Sequence, residues 1–313
     1  MRSILTNDYQ IGDNLELLKD MPDNCVDLIY FDPPFNTGRD FKDFKDIYPS
    51  MMSFRDEFLK PRLSQCRRVL KKEGNIVVHV DPTISHHVRI LLDDIFGEKQ
   101  FVNEVAWVTG GNAKNKKKMN RFHDTLICYR ASSASIFNPE YLPYDDAYRK
   151  SSSVKVCEHT GREYVTTAIH NSQPHINPRQ NLRYRWNGHD KQWYVMKEKM
   201  ASLDADNRLA YNKKGIPRIK RYLHEMSGIP VRDVWSDIPN VQASEKLDYA
   251  TQKPVRLIRR VIKMFSKESD LVLDIFAGSG TTGRAAMDLN RSYKLFDINS
   301  KGKDIFLESI KNE

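Results

Sequence analysis

The sequence predicts an α/β protein: a doubly wound parallel sheet interrupted by an inserted module. Three observations carry this. Apolar runs of the kind buried on both faces recur at 26–31, 76–80 and 271–276. The stretch from Asp274 to Asp297 reads as strand, glycine turn, helix and strand in succession. Between 140 and 235 the periodicity is lost, with polar, aromatic, proline and glycine residues mixed, and alternation resumes afterwards.

In order, the chain opens on a short strand at 9–11 closed by Gly12-Asp13, then one or two helical turns with Leu15 and Leu18 on one face. The apolar strand 26–31 stops at Asp32-Pro33-Pro34, where two prolines forbid continuation. Over 53–70, Phe54, Phe58, Leu63, Val69 and Leu70 make a loose helical stripe that Pro61 interrupts and Gly74 ends. A buried strand at 76–80 meets Asp81-Pro82, with Asp81 suited to cap the helix 84–96 that Gly97 closes. Strands at 105–108 and 125–129 flank a basic loop. Beyond the irregular stretch, Val255, Ile258, Ile262 and Phe265 keep helical spacing. A strand at 271–276, a helix at 282–289, a strand at 293–296 ending at Asp297 and a helix at 301–310 complete the chain.

Composition narrows the class. The 313 residues suit one large domain or two modest ones, and 40% hydrophobic with 29% charged content is ordinary for a globular protein. No apolar run approaches the roughly 20 residues of a membrane span, and residues 1–8 lack the apolar core of a signal peptide, so a cytoplasmic location is expected. The four cysteines form no CxxC pair, which argues for reduced thiols and against zinc or a disulfide framework. The net charge is +9, and residues 140–235 hold 17 Lys and Arg against 11 Asp and Glu, interleaved with 11 Tyr and Trp. A second basic run is Lys114, Lys116, Lys117, Lys118 and Arg121. Basic residues among aromatics point to nucleic acid.

Two motifs carry chemistry. In Asp274-Ile275-Phe276-Ala277-Gly278-Ser279-Gly280-Thr281, Gly278 and Gly280 permit a tight turn and close approach of backbone to a ligand. Asp297 ends the next strand, where an acid accepts the hydroxyls of an adenosine ribose. The other motif is Asp32-Pro33-Pro34-Phe35-Asn36, at the carboxyl end of a buried strand. An exocyclic amino group on a nucleobase is a poor nucleophile because its lone pair is delocalised. A carboxylate and a proline carbonyl, each accepting one N–H, push that nitrogen toward sp³ and aim the lone pair at an electrophile. Phe35 offers a face for an extruded base.

Together these motifs resemble the DNA amino-methyltransferases, and their order resembles the circularly permuted beta class. Gly12-Asp13 and Thr251-Gln252-Lys253-Pro254 match further family elements, as does the stretch 205–239 with Gly215-Ile216-Pro217 and 233–238. Ala250 departs from the family's usual proline before that tetrapeptide, and Phe296 from the small or aliphatic residue usual before Asp297. The resemblance covers nearly the whole chain. It implies a Rossmann-like sheet of seven strands with one antiparallel, the 9–11 strand at the edge beside 293–296. The catalytic half would be 1–139, a target-recognition module 140–235, and the cofactor half 236–313. S-adenosylmethionine is the implied cofactor, with no metal. The implied reaction is methyl transfer to adenine N6 of a flipped base in duplex DNA. Asp32, Pro33, Pro34 and Phe35 would form the acceptor site. Asp13, Asp32, Lys253, Phe276, Gly278, Ser279, Gly280, Thr281 and Asp297 would hold the cofactor, Lys253 either at its carboxylate or as a helix-start residue. Lys116, Lys117, Lys118, Arg121, Arg183, Arg185 and Arg218 would contact DNA, and His123 would line the base pocket or be structural. An aspartate-first acceptor motif leans to adenine; cytosine N4 is the alternative, with RNA or protein-glutamine methylation and a non-catalytic DNA-binding scaffold behind it. A homodimer and a cognate restriction enzyme are further partners compatible with the family.

Overall fold

The computed structural model describes residues 6–40, 45–110, 117 and 119–311. Contacts divide the chain into two compact units, one of residues 1–140 with 231–313 and one of Tyr141–Pro230.

The larger unit is built on an eight-stranded sheet. Its spatial order is Asp8–Ile11, Ser292–Asp297, Leu271–Asp274, Val26–Phe31, Leu70–Val80, His123–Arg130, Phe101–Val108 and Val234–Trp235. Of these, only His123–Arg130 runs antiparallel to its neighbours. The edge position of the first strand and the single antiparallel strand are as expected. The count is eight rather than seven, because Val234–Trp235 adds a two-residue edge strand parallel to Ala106 and Trp107. That strand falls inside the stretch expected to be irregular.

Alternate residues of the central strands enter opposite layers, which explains their unbroken apolar character. Ile29 and Phe31 pack with Val78, Ile84, Val88 and Leu92 on one face. Leu28 and Tyr30 pack with Val77, Leu257, Ile258 and Val261 on the other. Register then aligns the strand ends. Leu273 pairs with Ile29, Asp274 with Leu295, and Ile11 with Asp297. Gly12, Asp32, the turn after Asp274 and Asp297 therefore emerge at one carboxyl edge, where open α/β sheets bind ligands.

Two local expectations are corrected. Pro61 does not break the helical region: Ser53–Leu59 is a π-helix that runs into the α-helix Lys60–Val69. Proline supplies no N–H and its ring crowds the carbonyl four residues back. The preceding turn widens, and Lys60 N–H donates to the Arg55 carbonyl instead. Gly74 does not end an element but lies within the Leu70–Val80 strand, where an added Cβ would come within 2.8 Å of the Asp27 carbonyl oxygen.

The unit Tyr141–Pro230 contains a four-stranded antiparallel sheet of Leu209–Tyr211, Pro217–Tyr222, Glu163–Ala168 and Lys155–Val156. It also holds a hairpin, Arg183–Trp186 with His189–Gln192, and a helix, Lys197–Ala205. Its small core gathers Ile169, Trp193, Met200, Leu203 and Leu209. Among the described residues no helix is long and apolar enough to cross a membrane.

Candidate active site

A cavity of about 540 Å³ opens at the carboxyl edge of the sheet. It is lined by both sequence motifs, which lie 242 residues apart along the chain, from Asp32 to Asp274.

The acceptor loop is pinned from beneath. Asp46 is 1% exposed and its carboxylate accepts from Asn36 N–H at 2.6 Å, Thr37 N–H at 2.8 Å and the Thr37 hydroxyl at 2.6 Å. Asn36 takes the left-handed conformation, φ 54°, and its Oδ1 accepts from Tyr48 N–H. Charge-assisted bonds of this kind are short and directional, so the chain after Pro33-Pro34 is rigid. Asp32 forms an ion pair with Lys253 through Oδ2, while its Oδ1 is buried and has no hydrogen-bond partner. The Lys253 ammonium also lies 5.5 Å from the centre of the Phe35 ring.

The glycine turn is held by carboxylates. Asp274 is 3% exposed; it accepts from Phe276 N–H at 2.9 Å and the Thr282 hydroxyl at 2.5 Å. Burial pushes its carboxyl up to about 7, against those two bonds. Asp297 accepts from Gly278 N–H at 2.8 Å and Asn299 N–H at 2.9 Å. Burial raises its pKa as well, and the backbone bonds oppose the rise. Gly278 and Gly280 have φ of +52° and +75°. An added Cβ at Gly278 would lie 3.0 Å from Cε1 of Tyr249, and the bare backbone of this turn lines the cavity beside that ring as a cradle. At Gly280 the Cβ would strike the Phe306 ring; that glycine serves helix packing, not the cavity, which it does not line.

Asp13 lines the cavity, caps the helix Asn14–Lys19 and pairs with Arg62 at 2.8 Å. Arg62 also donates to Asn14 at 2.6 Å, and Asn14 donates to the Ile275 carbonyl at 2.6 Å. The first helix is thereby tied to the glycine turn. Pro33, Pro34, Phe35, Lys253, Phe276, Ser279, Thr281 and Arg121 line the cavity too, and His123 does not. Arg121 pairs with Asp81, which caps the helix Pro82–Phe96 as expected. The basic side chains elsewhere are dispersed. Lys117 is exposed, and Lys116 and Lys118 lie outside the described residues. In the smaller unit Arg183 and Arg185 are exposed on the hairpin, with Asp190 opposite Arg185. Arg218 is committed to its neighbour strand: its guanidinium donates to the Thr166 hydroxyl at 2.9 Å and carbonyl at 3.0 Å.

The profile of the family described as DNA methylase matches residues 26–308, a span that contains both motifs. The chain belongs to the DNA methylase family.

The chain is 27% identical to the Type III restriction-modification enzyme StyLTI Mod subunit of Salmonella typhimurium, over 91% of this chain and 50% of that one. It is 29% identical to the Type II methyltransferase M.EcaI of Enterobacter cloacae, over 85% of this chain and 60% of that one. The chain thus spans about half to three fifths of the length of these two relatives. Its fold is similar to that of TTHA0409 of Thermus thermophilus complexed with S-adenosyl-L-methionine, at a TM-score of 0.53 and 16% identity, covering 97% and 93% of the two chains.

Several side chains that shape the cavity escape sequence reading: Asp46, Tyr249, Arg62 and Asn14. Arg62 did leave a signal. It shares the apolar stripe of its helix with Cys66 and Val69, a register at which arginine is unusual. Asp46 and Tyr249 sit in irregular segments and gave none.

Proposed function

We propose that this DNA methylase transfers a methyl group from S-adenosylmethionine to adenine N6 of a base flipped out of duplex DNA. One observation carries the reading: Asp32, whose Oδ1 is buried and unpartnered, lines the same cavity as the glycine cradle and Asp297. A buried acceptor without a donor is costly and rare. An amino N–H in the cavity would satisfy it.

The residues fit the cofactor. Gly278 presents bare backbone to the cavity, and Asp297, which lines the same cavity, is a carboxylate acceptor suited to a ribose hydroxyl. Phe276 and Ile298 supply apolar walls. When bound, S-adenosylmethionine supplies a methyl group on a positively charged sulfur. Asp32 accepts one amino proton of the base and the Pro33 carbonyl the other, while Phe35 stacks. Held this way, the nitrogen lone pair would be aimed at the methyl carbon that the bound cofactor would supply, the thioether being the leaving group. The nitrogen gives up a proton, and Asp32 is the carboxylate beside it. No covalent enzyme intermediate is needed.

The aspartate-first motif favours adenine, and similarity to the DNA adenine methyltransferase YhdJ of Escherichia coli, 26% identical over 93% of this chain and 78% of that one, supports the same choice. Incubation with tritiated cofactor and unmethylated DNA, followed by mass spectrometry of the nucleosides, should yield N6-methyladenine. N4-methylcytosine would overturn the base assignment, and no transfer would overturn the reaction. The names of the Type II and Type III relatives support a role beside a restriction enzyme.

Asp297→Ala should weaken S-adenosylmethionine binding by about 1–3 kcal/mol, the worth of hydrogen bonds to a charged acceptor. Calorimetry giving an unchanged affinity would remove Asp297 from the site.

The Tyr141–Pro230 unit is proposed as the target-recognition module, and the run at 116–118 as a phosphate contact. Arg183→Ala with Arg185→Ala should lower DNA affinity and flatten its salt dependence by up to about 2 units in the log–log slope, one per lost phosphate contact. An unchanged slope would assign both to plain solvated surface. Two of the five Arg218 N–H donors go to Thr166, so the variant test is made on Arg183 and Arg185.

A further inference from the structure

We infer that Lys253 is a positioning residue for Asp32: it engages one carboxylate oxygen so that only the other meets the amino group of the target base. This rests on the methyltransferase reading above.

The starting point is asymmetry. Asp32 Oδ2 is ion-paired with the Lys253 ammonium, and Oδ1 is buried with no partner. An aspartate carboxylate is two-fold about its last torsion, and that torsion is soft. Left alone, either oxygen faces the cavity in a broad range of directions. With Oδ2 tied to a cation, rotation stops and a single acceptor direction remains. Oriented acceptors gain catalytic effect because they need no rearrangement when charge develops.

Lys253 is itself held in place. Pro254 follows it and opens the helix Val255–Phe265, whose Leu257, Ile258, Val261 and Ile262 are fully buried. A residue before proline is restricted to extended backbone. The preceding residue, Gln252, braces the same segment: its amide donates to the Glu245 carbonyl at 2.8 Å, and its oxygen accepts from Leu247 N–H at 2.7 Å. The side chain that leaves this brace is 15% exposed and spans the Phe35 ring to reach Asp32, 221 positions earlier. A lysine serving only as a helix-start residue has no reason to cross the cavity. One serving the cofactor carboxylate would release Asp32 when cofactor binds, and that is the rival the experiment must separate.

The test uses full-length Lys253→Met and Lys253→Arg proteins beside wild type. Single-turnover methylation of unmethylated DNA is measured at saturating S-adenosylmethionine, with cofactor affinity by calorimetry and thermal midpoint by scanning fluorimetry. Lys253→Met should lose at least a hundredfold in single-turnover rate while cofactor Kd shifts by less than threefold. Lys253→Arg, which keeps a cationic donor for Oδ2, should recover to within about tenfold of wild type. If Lys253→Met does not fold, Lys253→Gln is read by the same criteria. A rate loss that vanishes at saturating cofactor, with Kd raised in proportion, would make Lys253 a cofactor ligand and overturn the inference. So would an unchanged rate. Wild type without transfer would instead bring down the methyltransferase reading itself, and this inference with it.

Discussion

Asp32→Ala should reduce methyl transfer at least about a thousandfold while leaving the fold and the cofactor affinity nearly intact. The loss has two parts. Removing one preorganised electrostatic partner of a reacting group typically costs about 10²–10³ in turnover. Losing the fixed orientation of the amino nitrogen adds to it, since alignment is a separate source of rate. Two effects on stability oppose each other: deleting Asp32 removes a buried acceptor that has no partner, but leaves the Lys253 ammonium, 15% exposed, without its carboxylate. Asp32→Asn sharpens the reading. It keeps the shape and one carbonyl oxygen but loses the charge, so activity between wild type and the alanine variant would apportion charge against orientation. Tritium transfer to DNA, thermal midpoint and calorimetry with S-adenosylmethionine check the three statements. Turnover of Asp32→Ala within tenfold of wild type would sink the assignment of the acceptor site.

The parts of this site legible in the sequence are those whose chemistry is local. A six-residue strand with five apolar side chains, running into Asp-Pro-Pro, states by itself that a buried strand stops and presents a carboxylate. The strand–glycine–helix–strand–Asp unit likewise carries its geometry in short-range spacing. What stayed hidden depends on contacts distant in sequence. Asp46 governs the acceptor loop from a segment with no periodicity, and Tyr249 meets Gly278 from an irregular stretch. Lys253 reads equally as cofactor ligand or helix-start residue until its 221-residue separation from Asp32 is closed by the fold. Residues 140–235 looked irregular for another reason. Their strands run from two to six residues and are partly exposed, so an alternating pattern has no length in which to show. Arg218 illustrates the limit on the binding side. Its residue type suits base recognition, yet a threonine on the neighbouring strand takes two of its five N–H donors, which no sequence pattern announces.

Gly278→Val should abolish S-adenosylmethionine binding, with Kd raised a hundredfold or more. The backbone at Gly278 has φ of +52°, a region that costs an ordinary L-residue about 1–2 kcal/mol and a β-branched one more. Space adds a second penalty. A Cβ there would already lie 3.0 Å from Tyr249 Cε1 and 3.4 Å from its Cζ, and valine brings two further methyl groups. Tyr249 is 8% exposed and has little room to retreat. The turn must therefore move, and it carries several bonds with it. Gly278 N–H donates to Asp297 at 2.8 Å and its carbonyl accepts from the Tyr9 hydroxyl at 2.7 Å. Gly302 abuts the same carbonyl so closely that a Cβ on it would overlap the oxygen. A shift of the turn pulls the Asp297 carboxylate out of register with any ribose and closes the cradle at once. Gly278→Ala separates the two penalties: it bears the backbone cost without the branched methyls and should retain measurable binding. Calorimetry on both variants, with thermal midpoints to confirm that each is folded, decides the matter. A Gly278→Val protein that is folded and binds S-adenosylmethionine within threefold of wild type would show that the cofactor does not lie against this turn.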